Sequence, residues 1–119
     1  MIEYKIIAAL NPIFGNNIFP NVAPQHIPQN DAAPFAVYTV VFQQPTAVNA
    51  CGDMLNNVAV QVDIYTVEQA VNVALNRAEL SARAVERMTA AGFVFKQSRQ
   101  GFDGTIRLFR NSIDFEIVI

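Results

Sequence analysis

Apolar positions along this chain hold one period for a stretch and then switch to another, and each switch marks a predicted element. Ile2, Ile6, Leu10 and Ile13 recur at spacings of four, four and three, the stripe of a short amphipathic helix that should end near Pro12. Residues 15 to 34, punctuated by Pro20, Pro24, Pro28 and Pro34, read as an extended surface connection. From Phe35 to Gln43 the chain is rich in aromatic and β-branched residues, with Tyr38, Val40 and Phe42 on one face, which predicts a strand. Val58, Val60, Val62 and Ile64 then alternate with Ala59, Gln61, Asp63 and Tyr65, a second strand that should pair with the first. The segment between them, Gln44 to Asn57, contains Pro45, Asn49, Gly52, Asp53, Asn56 and Asn57 and reads as a long polar loop that orders on a partner.

Thr66 followed by Gln69 has the spacing of a capping box, so a helix is expected to start there. Val67, Val71, Ala74, Ala78, Ala82, Val85 and Met88 supply its apolar stripe, and Gly92 stands where a left-handed terminal residue is wanted. Such a helix would run for about 24 residues, roughly 36 Å at the helical rise. Its opposite face carries Arg77, Glu79, Arg83, Glu86 and Arg87, with Glu79 and Arg83 at a favourable i, i+4 spacing. Phe93 to Arg99 predicts a third strand, and Gly101-Phe102-Asp103-Gly104 supplies turn chemistry leading into a last one. In that last strand Ile106 and Leu108 are even-numbered while Ile113, Phe115 and Ile117 are odd, so a β-bulge is expected between Phe109 and Ser112. The apolar ending Ile117-Val118-Ile119 should lie within the sheet.

Strands in hairpin succession with helices gathered on one side define an α+β fold of two layers. The expectation is one domain over residues 1–119: a mainly antiparallel four-stranded sheet, with a short N-terminal helix and one long helix on one face, in the order α-β-β-α-β-β. A domain of this length buries roughly two-thirds of its unfolded surface, enough for one core.

Composition sharpens this picture at one point. The chain is 52% hydrophobic and only 15% charged, against about 25% charged in a typical soluble domain. Too little charge remains to cover the whole surface, which leaves apolar area for a partner. The net charge is −2, and the first 76 residues hold one Lys or Arg, Lys5, so no basic patch exists for nucleic acid. A single cysteine, Cys51, fits a reducing compartment. The five-residue apolar run after Lys5 is too short for a signal-peptide core, and Ala32 to Phe42 falls far below the ~20 residues that span a bilayer. No membrane association is therefore expected.

Candidate chemistry is sparse. His26 is the only histidine and lies in the loop Pro24-Gln25-His26-Ile27-Pro28, so neither a metal pair nor a Cys-His arrangement can be drawn. Asp63, Asp114 and Glu116 make the best case for an enzyme, but alternation turns them away from the core as a solvated or hydrogen-bonded face. Gly101 and Gly104 lack the lysine and following helix of a phosphate loop. The expectation is a protein without catalytic residues, cofactor or metal.

Phe19-Pro20-Asn21-Val22-Ala23-Pro24, Pro34-Phe35-Ala36-Val37-Tyr38, Val60-Gln61-Val62-Asp63-Ile64-Tyr65 leading into the long helix, Phe102-Asp103, Leu108-Phe109-Arg110 and Ile113-Asp114-Phe115 follow one another in a recognisable order. In that ordered set, which covers nearly the whole chain, the sequence resembles the tail-completion proteins of long-tailed bacteriophages, the family of tail terminators and head-to-tail joining proteins. The resemblance implies an α+β subunit that assembles with copies of itself into a hexameric ring at the head-facing end of the tail tube. Its expected partners are the tail tube protein and the head connector or neck protein. Its expected location is the host bacterial cytoplasm during assembly and then the virion tail. The family carries no catalytic residues to transfer.

Interface candidates come from the predicted loop and the polar helix face: Asn49, Asp53, Asn56, Arg77, Glu79, Arg83 and Arg87. The competing reading is a small monomeric module, on the same α+β scaffold, that binds a ligand or a protein or acts as a weak hydrolase.

Overall fold

The computed structural model describes residues 2–21, 35–48, 54–67, 73–103 and 108–118. Its elements are α1 (Ile2–Phe14), β1 (Ile18–Pro20), β2 (Phe35–Val48), β3 (Met54–Val67), α2 (Val73–Ala90), β4 (Val94–Asp103) and β5 (Leu108–Val118). The strands form one mixed five-stranded sheet in the order β1-β2-β3-β5-β4. The α+β class and the mainly antiparallel pairing are as expected, but the count of four strands is not: Ile18–Pro20, within the stretch read as a surface connection, adds a fifth strand and pairs parallel to Ala36–Tyr38. Two left-handed residues make the turns around this short strand, Gly15 at φ 59° and Asn21 at φ 63°. Backbone bonds from Ala36 N to Asn17 O (2.9 Å) and Asn21 N to Tyr38 O (2.8 Å) fix its register.

Central strand β3 pairs antiparallel with β2 on one side and with β5 on the other. Its even-numbered residues Val58, Val60, Val62 and Ile64 are all buried, and the register lines them up with Tyr38, Ile113, Phe115 and Ile117 in rows across one face. Both helices cover that face. Ile2, Ile6, Ala9, Leu10 and Phe14 of α1 join the same cluster as Ala84 and Met88 of α2 and the buried Phe93. Each fully buried aromatic or branched side chain here contributes about 1.5–3 kcal/mol of transfer free energy.

Helix α1 runs two residues beyond Pro12, because a proline near a C-terminus removes one intrahelical bond without blocking the final turn. Helix α2 ends as the sequence indicates: Gly92 has φ 102°, its N–H bonds Thr89 O (3.0 Å), and Phe93 N–H bonds Met88 O (3.0 Å). Those two bonds are a Schellman motif, with the buried Phe93 as its hydrophobic residue.

Elsewhere on α2 the expectation fails. Thr66 and Val67 belong to β3, so the capping box does not form, and the helix observed has 18 residues. Ala78 and Ala82 of the expected stripe are exposed, whereas Ala84 and Met88 are buried with Leu80, Ser81 and Val85 half-buried beside them. Val67, the first residue of the expected stripe, belongs to β3, and the larger Leu80 faces the sheet in place of the two alanines. The bulkier side chains set the rotation of the helix. Ser81 also faces inward, accepting a 2.5 Å bond from Asn111 Nδ2.

Two further expectations are overturned. The long loop of residues 44 to 57 is mostly strand: pairing continues through Pro45↔Asn56 to Val48↔Met54. Of the residues that suggest a loop, Pro45, Asn56 and Asn57 occupy paired positions, because backbone bonding to a long partner outweighs weak strand propensity, while Asn49, Gly52 and Asp53 lie outside the described residues. The β-bulge between Phe109 and Ser112 is absent, and β5 pairs with β3 without a break from Leu108 to Val118. Asn111 takes a core-facing position opposite Ile64 there, so a hydrogen-bonded polar residue, not an extra residue, interrupted the apolar alternation. Register shifts fall instead between Val40 and Phe42, between Pro45 and Ala47, and between Phe95 and Gln97.

Two outcomes test this packing. Ala84→Asp, which buries an unpaired charge under α2, is expected to unfold the subunit, whereas Ala78→Asp at an exposed position should change stability by about half a kcal/mol or less in thermal melts. Tyr38 supplies the second: burial, and after it the Glu3 carboxylate, raise its phenol above the ordinary 10.0. The unfolded chain then releases this proton first, so stability holds below pH about 10 and falls as pH rises further. Denaturant titrations on either side of that pH should show a smaller fall for Tyr38→Phe than for the parent chain.

Candidate interaction surfaces

Odd-numbered residues of β3 and even-numbered residues of β5 point to the sheet face opposite the helices. At the β1 end this face is aromatic: Phe35 is fully buried, stacked on Tyr65 (ring centroids 4.8 Å) and met edge-on by Phe19 (5.9 Å). At the β4 end it is a polar ladder, since the register sets Gln61 opposite Asp114, Asp114 opposite Gln97, and Ala59 opposite Glu116.

The ladder is closely bonded. Arg99 Nη1 reaches Asp114 Oδ2 at 3.0 Å, and Gln97 Nε2 donates to the same oxygen at 2.8 Å. Lys96 Nζ lies 3.1 Å from Glu116 Oε2, and Asn57 Nδ2 donates to Glu116 Oε1 at 3.4 Å. Gln61 Nε2 donates to Asp63 Oδ1 at 3.0 Å. Lys96 is the extra residue between the paired Phe95 and Gln97, so the bulge in β4 belongs to this cluster. The side chains of Lys96 and Arg99 are about half exposed, and ion pairs of that kind contribute about 0–1 kcal/mol each. Between them opens a depression of about 310 Å³ bordered by Val41, Ala59, Gln61, Lys96, Arg99 and Glu116.

Asp63, Asp114 and Glu116 thus sit on the face that alternation assigned them, each bonded to a neighbour. Asp114 and Glu116 are each held by a cation, and Asp63 is buried beside Gln61. Among the described residues no three His, Cys, Asp or Glu side chains stand close enough to share a metal ion. Paired charges that already satisfy one another suit a contact surface better than proton transfer, which needs a group free to change its charge.

The seven residues proposed as interface fall in different places. Asn49 and Asp53, like His26 and Cys51, lie outside the described residues. Asn56 is in β3, paired with Pro45, and Arg77 is in α2. Glu79, Arg83 and Arg87 are exposed along α2. Glu79 and Arg83 do not meet: the ion pairs among the described residues are Lys96–Glu116 and Arg99–Asp114. Arg87 turns toward α1, where its Nε donates to Ala9 O at 3.4 Å, so it ties the two helices together.

Sequence reasoning missed Lys96, Gln97 and Arg99. The parity of Asp114 and Glu116 points to an open face, but only the register of β4 shows which cations reach it. It also missed the exposed apolar side chains of the outer strands, Val41, Val94, Phe95 and Phe102. No helix among the described residues is long and apolar enough to cross a membrane.

No family model and no curated protein matches this chain. Among solved structures the chain is similar to a chain from the virion of a native gene transfer agent particle, with a TM-score of 0.54 and 11% sequence identity. The match covers 97% of this chain and 89% of that one, so the likeness is one of fold over nearly the full length.

Proposed function

We propose that this chain is a structural subunit of a phage-like virion. In this reading it forms a homo-oligomeric ring, hexameric in the family it resembles, that terminates the tail tube and joins it to the head. The observation that carries the reading is the fold likeness to a virion chain across 97% of the sequence. The ordered motifs from Phe19 to Phe115 support it from the sequence side. Its partners are other copies of itself, the tail tube protein and the head connector. It performs no catalysis and needs no cofactor in this role. A closed, bonded polar ladder and exposed apolar residues on the outer strands are what a subunit needs to contact others on several sides.

The test is complementation of a phage or prophage lacking this gene, scored by electron microscopy for finished virions and tail length. Loss of the gene is expected to give tails of irregular length that carry no heads. Asp114→Asn should restore finished virions, while Glu79→Lys and Arg83→Glu, both at exposed positions of α2, should lower their number without unfolding the subunit. Like charges brought together at a contact cost several kcal/mol, and in a ring that cost recurs at every junction. Normal virions in the absence of the gene would overturn the reading.

A further inference from the structure

The two boundaries of the sheet are unlike each other. On one side β4 presents ten residues, Val94–Asp103, with no further strand beyond it among the described residues. On the other side β1 covers only Ala36–Tyr38, so from Thr39 onward β2 has no strand flanking it there among the described residues. An open edge is a row of backbone N–H and C=O groups ready to pair, and natural proteins blunt such edges with charge, proline or bulges. The stretch Thr39-Val40-Val41-Phe42-Gln43-Gln44 contains no charge, no glycine and no proline, and its first four residues are strong strand formers. Val41, Val94, Phe95 and Phe102 on these two strands are exposed apolar side chains, as are Tyr4 and Ile7 on α1 and Val118 on β5.

We infer that the occupant of these edges is a second copy of the chain: β4 of one subunit pairs antiparallel with Thr39 to Gln44 of β2 in the next. The inference rests on the ring reading and names its contact. Three successive antiparallel pairings separate β2 from β4, so the two strands run in opposite directions within one subunit. Subunits set side by side in the same orientation therefore bring β4 against β2 in the antiparallel sense, with ladder bonds perpendicular to the strands. Pairing β4 with β4 would leave the β2 edge open in every copy, and pairing β2 with β2 would leave β4 open. The β2–β4 junction uses both edges of every copy. A junction of this kind is heterologous and closes into a ring when its rotation allows. Pro45, which has no N–H to donate, ends the ladder, so the junction spans six residues, about 20 Å. The irregularities at Val41 and Lys96 add local twist on the two strands that meet.

Cross-linking in assembled particles tests the junction. With Cys51→Ala as background, one variant carries Val41→Cys and another Gln100→Cys or Ser98→Cys, and the deleted phage is complemented with each alone and with both together. Mild oxidation is expected to give a disulfide-linked dimer from the mixture and at least tenfold less from either variant alone. A third variant, Val41→Lys, should keep the melting temperature of the isolated subunit while lowering the yield of finished virions at least tenfold. Dimers from the Val41→Cys variant alone would show a symmetric β2–β2 contact and overturn the inference. Finished virions that give no cross-link at either β4 position, or that form normally with Val41→Lys, would also overturn it while leaving the ring reading intact. Virions that form without the gene would overturn the reading itself.

Discussion

Everything in this subunit depends on β3 being paired along both of its sides while only one of its faces meets the helices. With β2 and β5 as its two neighbours, its backbone groups are satisfied within the sheet, and its even-numbered residues form the floor on which α1 and α2 rest. A shift of one residue in either pairing would turn Val58, Val60, Val62 and Ile64 outward and bury Gln61 and Asp63 beneath the helices. The register is therefore held by the full transfer free energy of that floor.

The same constraint defines the surfaces. Once the helices occupy one face, the polar partners of β3 and β5 must be satisfied on the other, and they are satisfied laterally, by β4. Gln97 and Arg99 converge on Asp114 and Lys96 reaches Glu116, which fastens the outermost strand through its side chains as well as its backbone. Where the interior is less complete, it is in the sheet: Thr66 Oγ1 of β3 and Asn111 Oδ1 of β5 are buried without a partner among the described residues. An unmet buried polar group costs about 1–3 kcal/mol.

The helix and the last strand show how local pattern and tertiary packing divide the outcome. Gly92 was legible because a left-handed terminal residue is a local requirement, met within five residues of chain. The rotation of α2 was not, because Ala78, Ala82 and Ala84 are equally apolar in sequence and only the shape of the sheet selects Ala84. Asn111 misled for a related reason. A polar residue at a core position reads as a break in alternation unless its partner, Ser81 on another element, is known.

By itself the sequence determined the α+β class, the alternation of β3, the stripe of α1 through Ile2, Ile6 and Leu10, the turn at Gly92 and the outward direction of Asp63, Asp114 and Glu116. Each of these follows from residues close together in the chain, where period and backbone geometry act directly. Only the tertiary structure decided the parallel strand Ile18–Pro20, the extension of the β2–β3 hairpin through its polar residues, the bulge at Lys96 and the ion pairs that close the ladder. These depend on which strands become neighbours and in what register, and that choice is made by burying a whole face at once, which no local stretch of sequence encodes.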